Sequence, residues 1–129
     1  MSELLRILVV DDDRTMAKTL ASIFRVKGYE AVVAHSGSEA LNKMAGGPFG
    51  YARNGSFDCV LSDIRMPEMD GVELYRAIKA RWPDLPMVLI TAYSADRLVE
   101  EGLEEGAVAA FTKPVDIDAL LALFSSLHR

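Results

Sequence analysis

Apolar residues fall in short runs along this chain, at positions 4–10, 31–34, 59–61, 87–90 and 108–111, each too short for a helix and suited to a buried strand. Amphipathic stretches fill the intervals, so the pattern predicts five strands alternating with five helices. The first helix is expected over 15–27, with Gly28 as the left-handed residue that ends it. The second opens on Ser36-x-x-Glu39 and the third on Asp70-x-x-Glu73, both the spacing at which two side chains satisfy each other's orphan amides. Trp82-Pro83 ends the third helix, Ser94 or Asp96 caps the fourth, Gly106 follows it, and Asp116 or Asp118 caps the fifth. One stretch breaks the rhythm: "AGGPFGYARNGSF", residues 45–57, carries four Gly and one Pro. It reads as a surface loop, with the rings of Phe49 and Tyr51 packed back onto the domain. Residues 125–129 read as a short tail after the fifth helix.

Strands this uniformly apolar suit a parallel sheet covered on both faces and joined by right-handed crossovers. The fold class that follows is α/β: a doubly wound, flavodoxin-like (βα)5 three-layer sandwich with strand order 2-1-3-4-5. At 129 residues, half of them apolar, the chain is expected to form one domain over 1–129. No apolar run approaches the ~20 residues that span a bilayer, and the first residues lack the pattern of a signal peptide, so the expected address is the cytoplasm, with no membrane partner. The net charge of −5 argues against direct binding to nucleic acid, which needs clustered Lys and Arg. Cys59 is the only cysteine, which excludes an internal disulfide and favours an inert buried thiol.

The stretch "CVLSDIRMPEMDG", residues 59–71, ends a buried strand on an acid, Asp63. In a parallel sheet all strand C-termini line one crevice, where ligands bind. The first strand delivers Asp11-Asp12-Asp13 there, the third Asp63, the fourth Thr91 and the fifth Lys113-Pro114. Two carboxylates ~5 Å apart repel by about 3 kcal/mol at an effective dielectric of 20, so such a cluster calls for a counter-charge. Lys113 can neutralise only one acid. A small hard cation with oxygen ligands meets the rest, and Mg2+ is the cellular choice. If phosphate chemistry occurs here, the metal and Lys113 would stabilise phosphoryl oxygens, Thr91 would donate a hydrogen bond and Asp63 would be the nucleophile. Taken singly, each acid reads better as a helix cap, and Asp13 is expected to be one.

From "ILVVDDD" through "DIRMPEMDG" and "LITAYS" to "FTKP", the chain resembles a response-regulator receiver domain of two-component signalling. The resemblance implies that Asp63 accepts a phosphoryl group and that Asp11, Asp12, Asp63 and the backbone carbonyl of Arg65 hold Mg2+. It implies that Thr91 and Lys113 contact the acyl phosphate and that the Lys113-Pro114 bond is cis. The implied partners are a sensor histidine kinase or histidine phosphotransfer protein as donor, and a downstream effector protein or domain. The chain would then be a stoichiometric phosphoacceptor that assists its own phosphorylation and dephosphorylation, not a turnover enzyme. The family also places Arg65 and Tyr93 at the mouth of the site. This sequence departs from the family at Ala110, where a Tyr or Phe usually turns inward as the phosphorylated state forms. Phe111 should point to the opposite face by strand alternation.

Two other readings stand beside this one. Asp11-x-Asp13-x-Thr15 also spells the first motif of haloacid-dehalogenase-like phosphatases, with Asp11 as nucleophile, although that leaves residues 63–71 without a role. A pseudo-receiver that binds partners without carrying phosphate is the third, and the intact acids, Thr91 and Lys113 argue against it.

Overall fold

In a computed structural model, which describes residues 5–45, 57–93 and 96–127, the predicted alternation appears in order: β1 (Arg6–Val10), α1 (Arg14–Val26), β2 (Glu30–Ala34), α2 (Gly37–Met44), β3 (Cys59–Asp63), α3 (Gly71–Arg81), β4 (Met87–Thr91), α4 (Arg97–Glu105), β5 (Ala109–Thr112) and α5 (Ile117–Leu127). Most of the loop 45–57, including Phe49 and Tyr51, lies outside the described residues, as does Ser94. The strands form one parallel sheet in the order β2-β1-β3-β4-β5, the doubly wound arrangement that the uniformly apolar runs predict.

Strand alternation divides the core into two faces. Ile7, Val9, Leu61, Val88 and Ile90 meet Leu20 and Phe24 of α1 and Leu120 and Phe124 of α5 on one side. Leu8, Val10, Val60 and Leu89 meet Met44 of α2 and Leu74 and Ile78 of α3 on the other, with Leu98 and Val99 of α4 partly buried against them. Cys59 is buried, and burial pushes its thiol up to about 12, which keeps it protonated and inert. No helix among the described residues is long and apolar enough to cross a membrane.

The caps hold with two refinements. Asp13 caps α1, accepting from the Met16 amide at 3.1 Å, and Gly28 has a φ of 95°. Asp70 caps α3 in a complete box: it accepts from the amides of Val72 and Glu73, and Glu73 accepts from the Asp70 amide. At α2 the exchange is displaced by one residue. Ser36 accepts from the Glu39 amide at 3.0 Å, but Glu39 accepts from His35, not Ser36, at 2.7 Å. Asp96 caps α4 and Asp116 accepts from the Ala119 amide at the start of α5. The tail expected from residue 125 begins later, because α5 continues to Leu127, whose side chain packs on the α1/α5 face of the core.

Gly71 holds the carboxyl end of β3 in place. A Cβ there would lie 2.6 Å from the Asp63 carbonyl oxygen and 2.9 Å from the Ile64 Cα, and backbone atoms cannot step aside as side chains do. Gly71→Ala should therefore lower stability by about 1–3 kcal/mol, read as a reduced midpoint in denaturant unfolding. An unchanged midpoint would mean that the start of α3 can lift from β3 without cost.

Candidate functional site

The polar residues delivered by separate strands do meet at the carboxyl edge of the sheet. Asp11 follows β1 and is 3% exposed, Asp63 ends β3 and is 7% exposed, and Thr91 ends β4 and is buried. Asp12 lies beside them on the surface, and oxygens of Asp11, Asp12 and Asp63 all fall within 4.8 Å of one another, a group able to hold a metal ion. Hydrogen bonds between neighbouring segments set this register: the Asp11 amide to the Ala34 carbonyl, Ile64 to Ile90, and Lys113 to Thr91 at 2.7 Å. The Lys113-Pro114 bond is cis, and the Lys113 ammonium lies in the pocket. Its Nζ lies 3.3 Å from Asp11 Oδ2 and 3.5 Å from Asp63 Oδ1.

The acids differ in their settings. Asp11 Oδ1 accepts from the Asp13 amide at 2.9 Å while Oδ2 faces Lys113, so both of its oxygens are engaged. Asp63 is pushed up to about 6, first by burial and then by the charge of Asp11, with Lys113 working in the opposite direction and Asp12 adding to the rise. Burial pulls the Lys113 ammonium down, but Asp63 and Asp11 outweigh it and hold Lys113 above its ordinary value. One lysine thus falls short of offsetting three carboxylates, and the donor set is entirely hard oxygen, which fits a small divalent cation.

Sequence reasoning missed the partner of Arg65. Its side chain does not stand free at the mouth of the pocket: Nε lies 2.8 Å from Asp96 Oδ2 and Nη2 2.7 Å from Asp96 Oδ1, a two-pronged ion pair with a carboxylate that is itself 1% exposed. The same Asp96 Oδ2 lies 3.4 Å from the Thr91 hydroxyl, which also faces the Tyr93 carbonyl at 3.3 Å. Asp96 was legible only as a cap, and no spacing rule pairs it with a residue 31 positions earlier. Tyr93 stands 68% exposed. His35, also unforeseen, brings Nδ1 within 3.3 Å of the Asp11 carbonyl. Ala110 is opposite Leu89 in register and packs on the α3/α4 face, whereas Phe111 is opposite Ile90 and packs on the α1/α5 face, as alternation requires.

An acid cluster, a hydroxyl and a lysine thus meet on separate strand ends of a doubly wound sheet, the arrangement expected of a receiver domain. Residues 7–125 match the response regulator receiver domain family, and the chain belongs to it. It is 41% identical over 114 residues to the transcriptional regulatory protein ZraR of Klebsiella oxytoca, an alignment covering 88% of this chain and 24% of ZraR. The chain therefore spans about a quarter of the length of that relative. Among solved structures it is similar to a response regulator receiver domain protein of Clostridium thermocellum, with a TM-score of 0.86 at 26% identity over 96% of this chain and 94% of that one. It is also similar to the response regulator TrrA of Thermotoga maritima in complex with Mg2+ and BeF, with a TM-score of 0.80 at 31% identity over 96% and 99%.

Proposed function

We propose that residues 1–129 act as one receiver unit that takes a phosphoryl group onto Asp63 from a phosphohistidine of a sensor kinase or histidine phosphotransfer protein, and passes the change to a downstream effector. The observation that carries this reading is the bridge of Lys113 between Asp11 and Asp63, beside Asp12 and Thr91. Asp11, Asp12, Asp63 and the main-chain carbonyl of Arg65 would hold Mg2+, which when bound supplies positive charge against the acids and the phosphoryl oxygens. The structure of TrrA with Mg2+ and BeF, from a similar protein, supports that choice.

The chain's own residues do the rest. An ionised Asp63 oxygen attacks phosphorus in line, forming the acyl-phosphate O–P bond as the donor's P–N bond breaks and the imidazole leaves with the electron pair. With its carboxyl pushed up to about 6, Asp63 is still largely ionised at neutral pH. The Lys113 ammonium, 3.5 Å from Asp63, offsets charge on the phosphoryl oxygens, and the Thr91 hydroxyl donates to one of them. Attack of water later returns the free carboxylate, so the protein is a stoichiometric carrier that assists both steps. Asp11 is poorly placed as a nucleophile, since the Asp13 amide and Lys113 already take its oxygens.

Mapping the label after incubation with acetyl phosphate and Mg2+ tests this. One phosphoryl group per chain is expected, on the peptide containing Asp63. A label on Asp11 would instead favour a haloacid-dehalogenase-like phosphatase, and no label on the intact protein would favour a receiver used only for binding.

A further inference from the structure

Among the described residues the buried carboxylates are Asp11, Asp63 and Asp96, and only Asp96 has no part in the chemistry proposed for the pocket. It nevertheless touches that chemistry twice. Its Oδ2 lies 3.4 Å from the hydroxyl of Thr91, which must turn to a phosphoryl oxygen, and it holds the guanidinium of Arg65, two residues beyond Asp63. Its third role is mechanical: Oδ1 accepts from the Leu98 amide at 3.0 Å as the cap of α4.

Helix α4 is held unevenly along its length. Its C-terminal half is tied to α3, with Arg76 paired to Glu101 and Glu105, and with the Tyr75 hydroxyl and Lys79 both donating to the Glu105 carbonyl at 2.9 and 2.6 Å. Gly102 sits so close to β4 that an added Cβ would overlap Leu89 Cδ1. The N-terminal turn has no such anchors described beyond Asp96 and the half-buried Leu98 and Val99. At position 110, on the same face of the sheet, Ala offers no ring that could respond to Thr91.

We propose that Asp96 is the relay by which phosphorylation leaves the pocket: a phosphoryl group on Asp63 withdraws the Thr91 hydroxyl from Asp96 and shifts the Arg65 loop, and the first turn of α4 moves about its pinned C-terminal end. The proposal rests on Asp63 being the phosphoacceptor. As a donor the Thr91 hydroxyl reaches its acceptors only at 3.3–3.4 Å, while its oxygen accepts from the Tyr93 amide at 3.1 Å; a doubly charged phosphoryl group is the stronger acceptor for its proton. The Arg65 fork, by contrast, is short and fixed in direction, so movement of the loop after β3 reaches Asp96 without slack. Asp96 keeps the Arg65 fork and the Leu98 amide throughout, so once Thr91 has turned away a shift of the Arg65 loop carries the carboxylate, and with it the cap of α4, to a new position. The two states differ in what Asp96 contacts, and that difference biases the equilibrium between them.

The test compares wild type with Asp96→Asn, in which Asn still caps a helix but the charge that holds Arg65 is gone. Amide hydrogen exchange is followed at residues 98–101 and, as a control, at 103–106, with Mg2+ alone and with Mg2+ and beryllofluoride; labelling by acetyl phosphate is measured in parallel. In wild type, beryllofluoride should change exchange at 98–101 on the order of tenfold, the scale of one helix cap, and leave 103–106 within about twofold. In Asp96→Asn the 98–101 response should shrink to within about twofold while Asp63 still takes label. A full wild-type response in Asp96→Asn, or none in a labelled wild type, overturns the relay alone. Absence of label on wild-type Asp63 overturns the phosphoacceptor reading and the relay with it.

Discussion

Chelating divalent ions, or changing Asp63 to Ala with Mg2+ present, should reduce phosphoryl transfer from acetyl phosphate to background. The two losses have different causes. Asp63→Ala removes the only carboxylate of the cluster that ends a fully buried strand and whose Oδ1 faces Lys113, so no oxygen remains at the point of attack. Chelation leaves that oxygen in place but leaves three acids within 4.8 Å of one another with one lysine between them. Each ionised pair at that separation repels by about 3.5 kcal/mol at an effective dielectric of 20. An incoming phosphoryl group would add further negative charge to a pocket whose own charge is already unbalanced. Intact-mass spectrometry reads both results directly. Labelling that persists in chelator would contradict a metal at Asp11, Asp12 and Asp63, and labelling that survives Asp63→Ala would move the acceptor to another residue.

Much of this architecture was written in periodicity. The central strands β1, β3 and β4 are buried almost throughout, so their uniform apolar runs had one interpretation, and the residue following each run could be placed on the same sheet edge. Strand alternation put Ala110 and Phe111 on opposite faces, and the pairing of β4 with β5 places them there. Capping was legible where it depends on residues three apart, as at Asp70 and Glu73. At α2 the same spacing misled by one amide, because Glu39 reaches past Ser36 to His35, and both amides lie within reach of so long a side chain. The Arg65–Asp96 pair was illegible for a deeper reason. It joins the loop after β3 to the start of α4, segments whose proximity is a product of the sheet order. A lone Asp before a helix gives no sign that its side chain will be buried, since most are exposed. Local rules therefore placed the candidate reacting groups on one edge and missed the contact that would connect them to the surface.

In the metal-free protein, stability should fall as pH rises from about 4.5 to about 6, the reverse of the usual acid denaturation. Asp63 has an ordinary value of 3.8 and is pushed up to about 6 by burial and by Asp11. Between those values the folded chain keeps a proton that the unfolded chain has released, so each step up in pH favours unfolding. One proton sets the limit, about 1.4 kcal/mol per pH unit, and the partial solvent access of the pocket makes the slope smaller. Glu39, held down by the His35 amide, and Asp96, held down by Arg65, act with the opposite sign. Their contributions, and that of Glu105 held down by Arg76, are lost as pH falls below their ordinary values of 4.5, 3.8 and 4.5, which leaves the fall in stability above 4.5 to Asp63. Denaturant unfolding at pH 4.5, 6 and 7.5 measures the trend, and Asp63→Ala should abolish it. Mg2+ competes with that proton, so at pH 7.5 and a hundredfold excess over its dissociation constant it should add about 2.7 kcal/mol, on the order of 10 °C in Tm, and far less at pH 4.5. A stability that climbs through this window in the wild type, or a magnesium effect indifferent to pH, would mean that the strained charge in the fold is not on Asp63. The same repulsion that weakens the empty pocket is what would draw the cation in, and the site's cost to folding and its fitness for phosphoryl transfer then have a single electrostatic origin.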